Sequence, residues 1–340
     1  MTEVAKLQAV SRKIDDIRFF DNTMLTAYKR CPRYYFFRHE MHLETSGAPR
    51  VPLVFGGAWH AAMDVIWPNL TKMEHGPLTR AAFDAFMWYW TSEGMPADID
   101  YETERELSPR TPGRALEMIA AYIDKRSKTA DDFELIAVET PFAVPLDAHD
   151  PNLFYIGKID KIVKHHSRRT KILGIEHKTT TAYKKFGPFR SAFLDSFSPN
   201  SQVDGYLYAL HMSFPEQVGG VWVDAALVHK QEEGFTFIPV ERQMTHLDSW
   251  LWEVKWWIEQ VEWQRLKIVS GDASNHKYMQ AFPKNTNSCF DFNASCTYLD
   301  LCKAWPNPLG FDVPLGFVQQ KWNPLEHIKG VEQLMQDTKA

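Results

Sequence analysis

The chain has 340 residues, a net charge of −5 and 14% aromatic residues. A chain of this length can bury a large core, and its aromatic content excludes a mostly disordered protein. It shows neither a basic-then-apolar leader nor an apolar run of transmembrane length, so we expect a soluble, cytoplasmic protein.

The N-terminal third of the chain predicts helices. The first ends at Pro32, directly after Cys31, and the second covers residues 53–67 and carries His60. Asp64 lies one helical turn after His60 and could support that histidine or act as an additional metal ligand. A lone histidine near an apolar face is more often structural than a ligand. Two further amphipathic helices are predicted over residues 78–96 and 111–130.

The centre of the chain predicts a strand followed by a β-hairpin. Residues 134–144 read as the strand, and apolar and polar residues alternate over 153–163 and again over 171–178. The basic, polar run 164–170 between them is typical of a turn.

Three residues of this hairpin carry the chemistry. Asp160 falls in its first strand, and Glu176 and Lys178, two apart in the second, face the same side of the sheet. Two carboxylates and a lysine on one face are costly to place together unless something binds there. A divalent cation would remove the repulsion, and the lysine could activate a water or neutralise charge on a phosphate. The pattern indicates metal-assisted phosphodiester hydrolysis, with a surface hairpin and an ordinary Glu–Lys pair as the alternative.

A helix is predicted after the hairpin. Ser198 and Pro199 are typical of an N-cap and a first helical residue, and Pro215 marks the end. Gln202 and Tyr206 are four apart and therefore share one face. Beside the hairpin, they are suited to hold phosphate oxygens or Lys178.

The rest of the chain predicts two strands, over residues 218–229 and 235–240, and a long helix over 247–268. We expect most of the tryptophans on that helix to be core residues, with stacking on unpaired bases as the alternative. These are Trp250, Trp252, Trp256, Trp257 and Trp263. There is no glycine-rich nucleotide-binding loop with its lysine, so the sequence gives no support for an ATPase.

Basic residues cluster around the hairpin. Residues 158–190 hold ten Lys or Arg against two acids, a local charge of +8 in an acidic chain. Such a stripe would attract a phosphate backbone. A solvated, charged hairpin is the alternative.

The chain has four cysteines: Cys31, Cys289, Cys296 and Cys302. The last three form a Cys-x6-Cys-x5-Cys pattern. Disulfides are disfavoured in a cytosolic chain. Closely spaced thiolates favour zinc or an iron–sulfur cluster, and the spacing does not choose between them.

Several of these segments together resemble the motifs of the PD-(D/E)XK nuclease superfamily. They are His60, Gly157-Lys158-Ile159-Asp160, Glu176-x-Lys178 and Gln202-x-x-x-Tyr206. The similarity is to the RecB-like branch, which includes the AddB nuclease domain and the CRISPR-adaptation nucleases. Arg30-Cys31-Pro32 is similar to the Cys-Pro element that opens many domains of that branch.

The resemblance implies an α/β fold with a restriction-endonuclease-like core, in which helices flank a mixed central sheet. It implies one RecB-like domain over residues 1–340. Within it we expect a helical N-terminal insertion at about 68–130, a catalytic core at 134–270 and a C-terminal cysteine segment at 285–305.

The resemblance also implies roles for single residues. Lys178 would position or activate the attacking water, and Gln202 and Tyr206 would orient Lys178 or the phosphate. Mg²⁺ or Mn²⁺ would be held by His60, Asp160, Glu176 and the backbone carbonyl of His177. A [4Fe–4S] cluster, with zinc as the alternative, would be held by Cys31, Cys289, Cys296 and Cys302. From the basic stripe, the DNA contacts would be Lys158, Lys161, Lys184, Lys185 and Arg190.

The function implied is that of a metal-dependent deoxyribonuclease. We expect an exonuclease acting on single-stranded DNA ends in recombination, repair or replication. A structure-specific DNA endonuclease and a non-catalytic DNA-binding subunit of a larger complex are the alternatives.

Overall fold

The computed structural model of the protein has an α/β fold, in which helices flank a mixed sheet. The described residues are 17–47, 50–166, 171–185, 187–215, 217–271, 277–291 and 294–320. Residues 167–170 of the predicted hairpin turn, with Arg168 and Arg169, lie outside this set.

The elements follow the sequence-based expectations closely. The helices are α1 (Asn22–Arg30), α2 (Pro32–Tyr35), α3 (Val51–Asn69), α4 (His75–Ser92), α5 (Tyr101–Leu107), α6 (Pro112–Ser127), α7 (Ser191–Asp195), α8 (Ser201–Ser213), α9 (Met244–Val269) and α10 (Leu299–Ala304). The strands are β1 (Arg18–Phe20), β2 (Leu43–Thr45), β3 (Phe133–Pro145), β4 (Leu153–His165), β5 (Lys171–Thr180), β6 (Val218–Val228), β7 (Glu233–Val240) and β8 (Phe317–Gln319). No described helix combines the length and apolar character needed to cross a membrane.

The described chain forms two compact units. The first consists of the described residues up to Glu44, of Phe142–Gly157, and of the described residues from Leu251 onward. The second consists of Thr45–Pro141 and Lys158–Trp250.

The second unit is built on the sheet that runs through β4, β5, β6 and β7. The β4–β5 pair is antiparallel, which confirms the predicted hairpin, β5–β6 is parallel, and β6–β7 is antiparallel. Helices α3, α4 and α6 bury their apolar residues in one core with Ala226 and Val228 of β6. On the other face, Leu210 of α8 lies against Gly174 of β5, where an added Cβ would come within 3.1 Å of the leucine. Each face of the sheet is therefore covered by helices.

The first unit joins early and late parts of the chain. Its β1 pairs in parallel with the start of β4. The buried Arg33 donates hydrogen bonds to the carbonyl oxygens of Phe282, at 3.0 Å, and Ala281, at 3.4 Å. The hydroxyl of Tyr298 donates to the carbonyl oxygen of Leu43 at 2.6 Å. Segments more than 200 residues apart in sequence thus share one core.

Two expectations about helix α8 and helix α9 need correction. Helix α8 begins at Ser201, and its N-cap is Asn200, whose side chain accepts from the backbone N–H groups of Gln202 and Val203. Ser198 is therefore not the cap, because an amide oxygen two residues later satisfies the free N–H groups of the first turn.

The tryptophans of α9 are the second correction. Only Trp250 is buried, at 4% exposure, whereas Trp252, Trp256 and Trp263 are 66%, 41% and 52% exposed. At about 100° per residue these three fall within roughly 40° of one another, so they share one face rather than spreading around the helix.

Candidate active site

The hairpin and helix α8 bring the predicted catalytic residues together in the second unit. Lys178 donates hydrogen bonds to Glu176 and, at 3.1 Å, to the side-chain oxygen of Gln202. The amide nitrogen of Gln202 donates to Glu176 at 3.1 Å and to the hydroxyl oxygen of Tyr206 at 2.9 Å. Gln202 therefore fixes the lysine and the carboxylate relative to each other, which is the positioning role expected from its place on the helix.

Asp160 lies on β4, and His60 of helix α3 lies beside it. The Asp160 carboxylate accepts the backbone N–H of His177 at 2.7 Å and lies 3.3 Å from Nδ1 of His60. The other ring nitrogen of His60 lies 3.0 Å from the carbonyl oxygen of His177. Both ring nitrogens of His60 thus face oxygen atoms. Each nitrogen must therefore carry a proton, or a cation must bind there in place of the protons.

The two carboxylates of the site carry opposite pKa shifts. Burial opposes ionisation of Asp160, but the charge and hydrogen bond of His60, with the His177 N–H, hold its pKa well below the usual range. Burial raises the pKa of Glu176 to about 7, and the negative charge of Asp160 adds to this against the opposing effect of Lys178. Burial would lower the pKa of Lys178, but the neighbouring Glu176 raises it, so the lysine is a cation in this arrangement.

One carboxylate missed by sequence reasoning also belongs to the site. Ligand atoms of His60, Glu139 and Asp160 all lie within 4.8 Å of one another. Glu139 forms an ion pair with Lys158, and its backbone has a φ of 48°, which is uncommon for a non-glycine residue. A strained backbone at a site residue is typical of functional positions.

The donor set fits a divalent cation. Oε2 of Glu176 and Oε1 of Glu139 are buried without a hydrogen-bond partner. A buried, unsatisfied carboxylate oxygen is costly, and a hard cation supplies the missing partner. The ring of His60 lies 3.0 Å from the carbonyl oxygen of His177, and its ligand atom is within 4.8 Å of those of Glu139 and Asp160.

Behind the site, the side chain of His177 points to the other face of β5 and is fully buried. Its Nδ1 lies 3.4 Å from the buried carboxylate of Asp224, directly opposite it on β6. Asp224 accepts hydrogen bonds from Tyr122 and Arg126 of helix α6. Burial lowers the pKa of His177, which keeps its imidazole neutral. This buried group anchors the strand whose backbone faces His60 and Asp160.

Asp64 and Lys161 do not take the places expected for them. Lys161 is completely buried, and its ammonium group pairs with the Asp64 carboxylate. Asp64 therefore neutralises a buried lysine instead of supporting His60. Lys161 has no surface with which to contact DNA.

The other basic candidates are accessible. Lys184, Lys185 and Arg190 are exposed, and the Arg190 guanidinium donates to the carbonyl oxygen of Tyr183 at 3.0 Å. Lys158 is 41% exposed and forms the ion pair with Glu139.

The four cysteines all lie in the first unit, and each is partly buried. Burial raises the pKa of Cys302 to about 11, and the nearby Cys31 and Cys296 add to this shift. Burial likewise raises the pKa of Cys296, with Cys31 and Cys289 contributing. The four thiols are therefore close enough to interact electrostatically, although they come from opposite ends of the described chain.

Solved structures that are similar to this chain include two with low sequence identity. A crystal structure from Eubacterium rectale named "Putative exonuclease" is 11% identical, with a TM-score of 0.42, and the match covers 93% of this chain and 97% of that one. The crystal structure of SSO0001 is 14% identical, with a TM-score of 0.22, and the match covers 48% of this chain and 66% of that one. No curated protein sequence matches the chain.

The family model described as the PD-(D/E)XK nuclease superfamily matches residues 22–303. This span includes every candidate catalytic residue and all four cysteines. The chain therefore belongs to the PD-(D/E)XK nuclease superfamily, and its fold and family are those of a nuclease.

Proposed function

We propose that the protein is a metal-dependent deoxyribonuclease. The observation that carries this proposal is the convergence of His60, Asp160, Glu176 and Lys178 on one side of β5, with an unsatisfied carboxylate oxygen on Glu176. Such a set is costly in a purely structural role, because it concentrates charge in a buried place.

The residues that would hold the cation are His60, Asp160, Glu176 and the backbone carbonyl of His177. Glu139 adds a further carboxylate to this set. Carboxylate and carbonyl oxygens suit Mg²⁺, and the histidine makes Mn²⁺ an equally good fit. When bound, the cation would supply Lewis acidity toward a phosphate and its attacking water.

The protein's own residues supply positioning and charge. Lys178, held as a cation by Glu176 and Gln202, would orient the attacking water or stabilise negative charge on the phosphate. Tyr206 holds the amide of Gln202 from the other side, which fixes the amide's orientation. A lysine fixed before substrate arrives has little reorganisation left to do during the reaction.

We propose DNA as the substrate, and single-stranded ends as its preferred form, on the basis of the resemblance to the RecB-like branch. Lys184, Lys185 and Arg190 are exposed and would contact the phosphate backbone, with Lys158 beside the site. Lys161 is left out because it is buried. The proposed setting is recombination, repair or replication in the cytoplasm.

The four cysteines would hold a [4Fe–4S] cluster in the first unit, with Zn²⁺ as the alternative. This proposal rests on the resemblance to the RecB-like branch and on the nearness of the thiols in the first unit, where Cys31 and Cys289 both contribute to the raised pKa of Cys296.

The proposal is tested by incubating the purified full-length protein with labelled DNA in Mn²⁺ or in EDTA. We expect linear single-stranded DNA to be degraded in Mn²⁺ and left intact in EDTA. A circular single strand of the same sequence should survive, because it has no end. Cleavage of the circle would instead indicate an endonuclease, and a protein inactive with every divalent metal would contradict the proposal.

A further inference from the structure

A groove of about 580 Å³ opens beside the candidate site, entirely within the second unit. His60, His177 and Lys178 form part of its lining. Helices α3 and α4 contribute the apolar part of the wall, through Pro52, Leu53, Gly56, Gly57, Trp88 and Tyr89. A phosphodiester lying against Lys178 would therefore have an apolar, aromatic surface next to it.

Trp88 is the most exposed ring of this wall. Its side chain is 70% exposed, whereas Phe86 and Trp90, two residues away on either side in α4, are completely buried. The helix is therefore firmly packed, and the exposure of Trp88 is not a sign of loose structure. Leu53 of α3 is also 70% exposed at the same groove. Exposed apolar residues need no explanation when scattered singly. These two are distinguished by lining one groove together with Lys178.

Close helix packing holds this surface in place. A Cβ added to Gly57 would lie 2.4 Å from the Tyr89 ring, so only glycine at this position lets the tyrosine lie against α3. Trp88 is adjacent to Tyr89 and therefore sits on a braced helix rather than on a loop. On the other side, Gly56 of α3 lies near Thr179, the residue after Lys178.

We infer that Trp88 and Leu53 form a stacking platform for an unpaired nucleobase next to the scissile phosphate. The inference rests on the proposed nuclease function and names the residues that would select single-stranded DNA. Lys158 and Lys178, each paired with a glutamate, line the same groove and would face the backbone. The indole supplies a flat face for a base. Bases in a duplex are already paired and stacked, so a single strand uses this surface at lower cost.

A binding experiment tests the platform without requiring cleavage. In EDTA, the full-length protein is titrated with oligothymidylate and with an abasic oligomer of the same length and charge. Wild type should bind oligothymidylate roughly tenfold more tightly than the abasic oligomer. Trp88→Ala should bind both alike, and Trp88→Phe should keep most of the difference because it retains an aromatic face. A full difference retained by Trp88→Ala would overturn the inference.

Kinetics in Mn²⁺ provide the second test. Trp88→Ala should raise KM for a single-stranded oligonucleotide roughly tenfold. The KM for an abasic oligomer of the same length should be the same in wild type and Trp88→Ala, because that substrate has no base to stack. Tyr101→Ala is the matched control, since Tyr101 is 79% exposed, belongs to the second unit and does not line this groove. An inactive wild type would contradict the proposed function, whereas an active protein whose KM ignores Trp88 would contradict the platform alone.

Discussion

At the residue scale, the opposite pKa shifts of Asp160 and Glu176 give the two carboxylates different protonation states near neutral pH. Asp160 is ionised over the whole physiological range, because His60 and the His177 N–H favour its charged form. Glu176 has a pKa of about 7 and therefore exchanges a proton with solvent near neutral pH. In the proposed metal site Asp160 is already ionised, whereas Glu176 must lose its proton before it binds the cation.

This difference predicts pH-dependent metal binding. As the pH falls through about 7, Mn²⁺ affinity measured by calorimetry should weaken by up to about tenfold per pH unit, because protons compete for Glu176. The variant Glu134→Gln should behave as wild type, since Glu134 is exposed and pairs with Lys164 away from these ligands. An affinity that stays constant across this range would show that Glu176 is not a ligand.

Variants of the two central residues should separate catalysis from binding. Glu176→Gln and Lys178→Ala should each lower the DNA cleavage rate by roughly a hundredfold or more, because the first removes a cation ligand and the second a fixed positive charge. Affinity for single-stranded DNA, measured by fluorescence anisotropy, should change little, since the exposed lysines and arginines proposed to contact the phosphates are unchanged. Near-normal turnover in either variant would remove these residues from the proposed mechanism.

Strand and helix periodicity predicted that the candidate site residues lie together, and the structure brings them close to one another. They are Asp160, Glu176, Lys178, Gln202 and Tyr206. Sequence reasoning missed Glu139 for a physical reason. Leu135 points inward and Ile136 outward near the start of β3, whereas Phe142 and Val144 are the buried residues near its end. The alternation changes phase around Glu139, where the positive φ breaks the pleat, and a fixed two-residue period cannot follow such a change.

At the element scale, the sequence of strand β6 indicates a buried charged residue that the predicted site did not include. Asp224 stands alone among apolar residues in the middle of a buried strand, which requires a buried partner. Its partners come from β5 and from helix α6, and pairing between such distant elements is decided by tertiary packing. The sequence of β6 shows that Asp224 needs a buried partner. The local sequence pattern does not identify Arg126 and Tyr122 as its partners.

Removing this carboxylate should be strongly destabilising. Asp224→Ala leaves the buried Arg126 without its counter-charge, so the free energy of unfolding in urea should fall by about 3–5 kcal/mol. Asp124→Ala on the same helix is the control, because Asp124 is exposed and pairs with the exposed Lys128, and it should change stability little. Equal effects of the two substitutions would contradict a structural role for the buried pair.

The loop after β5 should contribute affinity without sequence preference. Lys184→Ala combined with Lys185→Ala should weaken binding to all single-stranded sequences alike. The slope of log K against log salt should flatten by about 1.4, since each lost phosphate contact removes about 0.7. Lys72→Ala combined with Lys128→Ala, two exposed lysines elsewhere in the second unit, is the matched control. An unchanged slope would show that Lys184 and Lys185 face solvent and do not contact the DNA phosphates.

At the scale of the whole molecule, the cysteines predict an effect on the first unit. Cys31→Ala removes a proposed ligand that joins helix α2 to the late segment holding Cys289, Cys296 and Cys302. Wild type purified without oxygen should be brown and contain iron and sulfide, and the variant should be pale and lose the first unit's resistance to protease. Ser288→Ala, in the same late segment, should keep its colour. A colourless wild type with stoichiometric zinc would show that the cysteines bind zinc and not an iron–sulfur cluster.

The three-part composition of the first unit has a consequence for how the protein is made. On the ribosome, Tyr28, Tyr35 and Phe36 emerge long before Phe282, the residue whose ring they contact. At 5–20 residues per second the delay is on the order of tens of seconds. The second unit is synthesised in full during this interval, whereas the early aromatic residues stay without their partner. We therefore expect the first unit to complete its core only when translation is nearly finished.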